Sequence, residues 1–420
     1  MRISTNEFLL GSLDDLLAQQ SRASQLNRQI ASGQTMLDAA DDPAGAGEAL
    51  SIAGEIQRLS YDAGNAQSAA QTIESGLSVL QQVSALIDQL RQTALEGANT
   101  GDTGATRQAL VSVAQNGLQQ LVQLANSQDP NGAYIFGGSK ANVAPFQTLP
   151  NGQTVFSGDA ATNAIEVAPS LTVPVTVSGQ GAFTNIPAGD DGVEITASAS
   201  NSGSASIVSQ GVTSVTQVTA ERLAGTQFEV VLSAGPGNSL NYTVTSGAGS
   251  PGTSGFTAGS GIVASGSFAA GSDLQFGGLD LKLDGTPAAG DRFVVQTAAT
   301  TSLFQTIQDL ISALQTPQQG QPANSVIRQR IENTIANLSG AQANILSTQA
   351  ALGSNLTEIK AVQGQNSAAS TNAQAQLTNL QSANLPQVIA SYSESVTALQ
   401  AAELAFARIQ NLSLFSLIHS

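Results

Sequence analysis

The chain has 420 residues, 30 acidic against 14 basic side chains, a formal charge of −16, no cysteine, no tryptophan, one histidine, 13 Phe and 4 Tyr. So few basic residues exclude a nucleic-acid binder, and the missing cysteines exclude a disulfide framework, thiolate metal ligation and a cysteine nucleophile. The length predicts two or three domains, and an apolar fraction of 41%, mostly aliphatic, suits helix seams and thin sheets better than a bulky catalytic interior.

Asp14 and Asp15 stand where a secretory leader is apolar, and no run of 18 apolar residues occurs, so neither a conventional leader nor membrane insertion is expected. From 1 to 140 the chain is rich in Leu, Ala and Gln. Leu9, Leu13, Leu16, Gln20, Ala23, Asn27 and Ile30 step by 4 and 3 along one helix stripe, which should stop at Ser32-Gly33. After a loop through Asp41, Asp42 and Pro43 the same steps resume at Ile52 and run through Ile73, Leu80 and Ile87 to Ala94, the pattern of a long helix with a narrow seam. Gly97 to Gly104 interrupt it. Leu110, Ala114, Gly117, Leu121 and Leu124 continue it, ending before the turn signal Asp129-Pro130-Asn131-Gly132.

From 141 to 300 Gly, Ser, Thr and Val dominate, with period-2 segments such as Thr226 to Leu232 and Arg292 to Thr297. From 301 to 420 Ala, Gln, Asn and Leu return. Ile331, Ile335, Leu338, Gln342, Ile345, Gln349, Leu352, Leu356 and Ile359 hold the 4-3 register within a helix expected over 326–384, roughly 85–90 Å long at 1.5 Å per residue. A final helix after Leu385-Pro386 carries Ile389, Tyr392, Val396, Leu399, Phe406, Ile409, Leu412 and Phe415, and its apolar tail needs a covering surface. The predicted fold is α+β: a long antiparallel helical rod formed by both chain ends, 1–140 and 301–420, with an inserted acidic β-rich domain, 141–300, in one or two subdomains. The charge divides as −7, −8 and −1 over 1–140, 141–300 and 301–420.

Catalytic machinery is missing. The one histidine, His419, adjoins the C-terminus, where no triad can orient it. Asp280, Asp284 and Asp291 with Gly285 lack the ligand alternation and closing glutamate of a calcium loop and read as hairpin-turn acids, as does Asp190-Asp191-Gly192. The glycines from Gly249 to Gly261 and at Gly277-Gly278 lack phosphate-binding spacing. Gln20, Gln342 and Gln349 read as seam residues that set register. No enzyme activity, cofactor or metal is expected.

The start Met1-Arg2-Ile3-Ser4-Thr5, the segment Ala31-Ser32-Gly33-Gln34 running into Asp41-Asp42-Pro43-Ala44-Gly45, Gly132-Ala133-Tyr134-Ile135-Phe136-Gly137-Gly138, and the closing Leu399-Gln400-Ala401-Ala402 and Asn411-Leu412-Ser413-Leu414-Phe415 resemble the flagellin superfamily. Within it they are most similar to the hook-filament junction family. Gly285-Thr286-Pro287-Ala288-Ala289-Gly290-Asp291-Arg292-Phe293 resembles a segment shared among hook-associated proteins.

The resemblance implies a structural subunit of the bacterial flagellum, exported unfolded by the flagellar type III apparatus after a transient cytoplasmic stage. At the extracellular hook-filament junction it joins the first hook-associated protein to flagellin and self-associates in a ring or helical layer. An export chaperone is expected on the C-terminal helix around Ile389 to Leu417. The subunit or chaperone interface is placed on Ile389, Tyr392, Val396, Leu399, Phe406, Ile409, Leu412 and Phe415. Leu90 to Glu96 resembles a flagellin stretch sensed by innate receptors and is read here as the solvent face of the long helix. The alternatives are a flagellin filament subunit and an extracellular adhesin on a helical stalk.

Overall fold

The computed structural model describes residues 2–98, 104–189, 192–248, 257–268, 273–297, 300–316 and 321–418. The chain separates into two compact units, Met1–Gly64 with Val362–Ser420, and Asn65–Ala361.

Helix α1 (Arg2–Ser32) stops where Gly33 adopts φ +70°, the left-handed turn that ends a helix without a Cβ clash. Helix α2 (Pro43–Gly97) opens on a proline, whose missing N–H is one of the four a helix start leaves unpaired, and the Asp42 carboxylate accepts the Gly45 N–H at 3.0 Å. Helix α3 (Gly104–Ala125) follows. The strand zone holds β1 (Phe146–Thr148), β2 (Thr154–Phe156), β3 (Ala164–Ala168), β4 (Leu171–Pro174), β5 (Ile186–Pro187), β6 (Val193–Ala197), β7 (Ser206–Val212), helix α4 (Val215–Ala224), β8 (Thr226–Ala234), β9 (Leu240–Ala248), β10 (Thr257–Phe268), β11 (Asp273–Phe276), β12 (Leu279–Asp284), β13 (Arg292–Thr297) and β14 (Thr300–Thr301). Helices α5 (Leu303–Gln315), α6 (Gln321–Gln381) and α7 (Leu385–Ile418) close the chain.

In the unit Asn65–Ala361 the expected seam is present in both long helices. Ala66, Ile73, Leu80, Ile87 and Ala94 of α2 recur every seventh residue and are buried, as are Ile331, Leu338, Ile345, Leu352 and Ile359 of α6. Such heptads place one face of each helix against a partner. Their order is antiparallel: Glu74 pairs with Lys360 at 3.3 Å, and Ser84 Oγ accepts from Gln342 Nε2 at 2.6 Å. Gln342 thus sets register as its seam position predicts. The stretch Leu90 to Glu96 is not purely a solvent face, because Leu90, Thr93 and Ala94 are buried.

Two helices escape the sequence reading. α5 buries Leu303, Phe304, Ile307, Leu310 and Leu314, and its final carbonyls at Ala313 and Leu314 accept from the buried Arg107 guanidinium at 2.9 and 3.0 Å. α4 sits inside the strand zone, capped by Ser214 and by Gly225 at φ +63°.

The inserted region forms a five-stranded antiparallel sheet in the order β10-β9-β8-β13-β6 and a three-stranded sheet in the order β11-β12-β7. Ile195, Phe228, Val230, Val244, Phe293 and Val295 from the first meet Ile207, Leu274, Leu281 and Leu283 from the second in one buried core. The outer edges of β6 and β7 are closed by amides of α6. Asn333 Nδ2 donates to the Ile195 carbonyl at 2.6 Å, while Gln329 accepts the Ile207 N–H at 2.8 Å and donates to its carbonyl at 2.9 Å. Asn337 accepts the Gly189 N–H, and Asn344 donates to the carbonyls of Gly181 and Ala182. One helix face thereby fixes the insertion through neutral amides, which carry both a donor and an acceptor and so can satisfy both groups of one backbone residue. Asn126 does the same for Phe146, and Asn201 for Arg292.

Gln329→Ala leaves the Ile207 N–H and C=O, beside a fully buried side chain, without partners. The expected loss is about 2–3 kcal/mol of stability, read as a lower urea midpoint with faster amide exchange at Ile207. Among the turn acids, Asp291 is fully buried and accepts the N–H groups of Ser202, Gly203 and Ala288 at 2.8, 3.1 and 2.9 Å. Its role is to hold two loops together, which Asp284, paired with Arg328 at 2.9 Å, does not share.

A cavity of about 520 Å³ lies between β6, α5 and α6, with the carboxylates of Glu194 and Asp309 and the Arg330 side chain on its wall. Burial, then the facing Asp309 carboxylate, pushes the Glu194 carboxyl above its usual range. Burial likewise raises Asp309, against the opposing hydrogen bond from Gln305 and the charge of Arg330. A carboxyl whose folded pKa lies above its unfolded one destabilises the fold when ionised, and that penalty disappears as the pH falls through the folded value. Glu194→Gln is therefore expected to be more stable than the parent at pH 7, with the gap closing toward about pH 4, where the parent's carboxyls are protonated too. Urea midpoints of both proteins across that range measure it; a gap that widens on acidification contradicts the assignment.

Candidate assembly interface

The unit Met1–Gly64 with Val362–Ser420 is built from α1, α7 and the adjoining parts of α2 and α6. α1 packs along α7, and the turns leading out of α1 and into α7 are stitched by backbone bonds. Thr35 N–H donates to the Gln381 carbonyl at 2.8 Å, Thr35 Oγ1 to the Ser382 carbonyl at 2.9 Å, and Ala383 N–H to the Gly33 carbonyl at 2.9 Å. Asp41 organises the following loop by accepting the N–H groups of Leu37 and Asp38 at 3.1 and 3.2 Å and Gln25 Nε2 at 3.1 Å. These bonds explain why Ser32-Gly33-Gln34 and Asp41-Asp42-Pro43 stand out in the sequence: they place the helices.

What the helices then bury is small. Among the described residues of this unit the buried apolar side chains are Ala23, Ala49, Leu59, Val362 and Ala373. Large apolar groups lie outside instead. Leu10, Leu13 and Leu17 recur at helical spacing on α1 and are exposed, Leu50 on α2 is 75% exposed, and Leu404 on α7 is 64% exposed. A groove of about 330 Å³ runs beside Leu50, lined by Met36, Leu37, Ala46, Ala49 and Ala53. Nothing in the spacing of Met36 to Ala53 singles that groove out beforehand; its cue is the Asp41-to-Gly45 turn.

Of the residues assigned to an interface from the sequence, Ile389 is 49% exposed, and Tyr392, Val396, Leu399 and Phe406 are half-buried. Ile409, Leu412 and Phe415 belong to α7, but their side chains lie outside the described residues, as does His419 entirely. No group of three or more His, Cys, Asp or Glu able to hold a metal occurs among the described residues. No described helix is long and apolar enough to cross a membrane.

Residues 3–141 match the bacterial flagellin N-terminal helical region. Over 152 residues the chain is 30% identical to flagellar hook-associated protein 3 of Salmonella typhimurium, covering 36% of this chain and 48% of that one. The flagellar junction protein FlgL from Legionella pneumophila superposes with a TM-score of 0.68 at 25% identity, covering 80% of this chain and 99% of that one. The chain is hook-associated-protein-3-like. It is also 23% identical over 184 residues to flagellin of Clostridium tyrobutyricum, covering 42% of this chain and 49% of that one. The chain spans about half the length of the curated relatives it matches. With those proteins it shares long helices at both chain ends and a strand-rich insertion between them.

Proposed function

We propose that the chain is an adaptor subunit of the bacterial flagellum, placed outside the cell where hook meets filament. One face of its assembled layer contacts the first hook-associated protein and the other contacts flagellin, with copies of the chain side by side in a ring or helical layer. Contacts between unlike faces build such layers rather than closed dimers. Residues 1–140 and 301–420 supply the assembly helices and 141–300 an outward acidic domain. The observation that carries the reading is the unit formed by the two chain ends, where among the described residues the buried apolar side chains are alanines, Leu59 and Val362, while Leu10, Leu17, Leu50 and Leu404 remain exposed. A helical unit of that kind completes its core on neighbours.

Export in an unfolded state fits the same feature, because helices that pack fully only on assembly lose little by being unpaired beforehand. A chaperone covering Ile389 to Leu417 in the cytoplasm would shield the stripe until then. Deletion of the gene tests the reading. Cells that build a hook and release flagellin unattached support it, whereas filaments attached normally to the hook overturn it.

A further inference from the structure

In α2 and α6 the buried seam side chains recur every seventh residue, and each series weakens at one place. In α2 Leu59, Ala66, Ile73 and Leu80 follow one another, so a single methyl group stands where the layers on both sides carry leucine or isoleucine. In α6 Leu352 and Ile359 are followed by Asn366, which is buried, and then by Ala373. An amide or a lone methyl at a seam position holds two helices together less tightly than a branched aliphatic side chain.

The glycines of the same helices supply a second observation. Gly76 and Gly340 lie in close packing: a Cβ on the first would stand 3.6 Å from Leu352 and Ile135, and one on the second 3.3 Å from the carbonyls of Pro187 and Gly189. Gly64 in α2 and Gly364 in α6 serve no such approach, since both are exposed and a Cβ on either would meet nothing within 4 Å. Each nonetheless weakens its helix about two- to fivefold relative to alanine. The approach of Gly76 to Leu352 sets the level of one helix against the other, and twelve residues further toward the chain end in each stand Gly64 and Gly364. They lie two residues from Ala66 and from Asn366. Gly47, Gly54 and Gly353 are open as well, but none adjoins a weak seam position. The compact unit Asn65–Ala361 ends beside the same glycines in both helices.

We propose that α2 and α6 share a flexure at Gly64 and Gly364, a level at which the two helices open and bend together while the Leu and Ile layers beyond it stay closed. Helix bends concentrate at glycines and where the backbone ladder loses support, and an antiparallel pair bends only where both members yield, because a stiff helix splints a weak one. The inference concerns the helix pair of the isolated chain and stands apart from the junction reading.

Hydrogen exchange of the purified full-length chain provides the test. The amides of residues 62–68 and 362–368 are expected to exchange about tenfold faster than those one to two turns to either side in the same helix. Gly64→Ala should slow exchange about two- to fivefold at 62–68, and by the same factor at 362–368 in the other helix; Gly364→Ala should act in the reverse direction. Gly353→Ala, the same added methyl at an open glycine beside Leu352, should leave both stretches unchanged. Exchange that rises smoothly toward the helix ends, with no maximum at these residues, overturns the proposal. So does a Gly64→Ala variant that slows exchange in α2 alone, which would leave a local fray in one helix rather than a shared flexure.

Discussion

Phe183→Ala is expected to lower the unfolding free energy by about 3–5 kcal/mol, the cost of emptying a fully buried aromatic site. Phe183 lies in the helical turn Gln180–Thr184 and contacts Phe136 at 5.0 Å and Phe146 at 5.7 Å between ring centroids, both edge-on, with Phe304 at 6.3 Å. Phe146 in turn meets Phe304 at 4.8 Å in a tilted arrangement. Four rings from four separated segments thus close one cluster: the loop after α3, strand β1, the turn before β5, and α5. In a chain with 13 Phe and no Trp, that is a large share of the available aromatic area, and each edge-on pair adds about 0.5–1.5 kcal/mol beyond burial. Backbone bonds hold the same segments in place, Gly179 N–H to the Phe136 carbonyl at 3.0 Å and Thr301 paired with Ile186, so the cavity cannot collapse without moving backbone. Phe183→Leu, which fills most of the space, should cost about 1–1.5 kcal/mol. Urea unfolding followed by circular dichroism distinguishes them. An alanine variant within 1 kcal/mol of the parent would mean that the site relaxes freely and that the cluster does not hold the insertion in place.

The elements most legible in the sequence are those whose signal is local and repeated. Ile73, Leu80, Ile87 and Ala94, or Ile331, Leu338, Ile345, Leu352 and Ile359, repeat a seven-residue spacing that few other structures satisfy, and the glycine and proline that bound these helices act through their own backbone preferences. α5 carries comparable information in Ser302 at its N-cap and Leu303, Ile307, Leu310 and Leu314 at 4-3-4 spacing, but with only 13 residues its pattern is short enough to pass for the end of the strand zone. The sheet order escapes for a different reason. β13 lies between β6 and β8, far apart in sequence, and period-2 alternation marks a strand without naming its neighbours. Gln329 and Asn333 look like solvent-facing polar residues on α6, and only the approach of β6 and β7 makes them clamps. Among the interface residues, the helical stripe through Ile389, Tyr392, Val396 and Leu399 is readable, whereas the bareness of Leu50 and Leu404 depends on what the neighbouring helices leave uncovered.

The largest functional effect is expected from Leu399→Asp and Phe406→Asp. Both side chains are half-buried in α7, the helix that packs along α1 in a unit whose described residues bury few large apolar groups. For the isolated chain the substitutions therefore remove little packing, and urea unfolding of the unit Asn65–Ala361 should be unchanged. In the proposed layer the same positions are expected to lie against neighbours. Burying an unpaired carboxylate there costs several kcal/mol or forces its protonation, and the penalty recurs in every subunit. Cells carrying either variant should form hooks, release flagellin into the medium and lose motility. Leu404→Asp separates the two faces of the helix, since Leu404 is 64% exposed whereas Leu399 is half-buried: a defect as severe as that of Leu399→Asp places the partner on the exposed side of α7, and a mild one places it on the half-buried side. Full motility in both Leu399→Asp and Phe406→Asp would remove this stripe from the assembly contact.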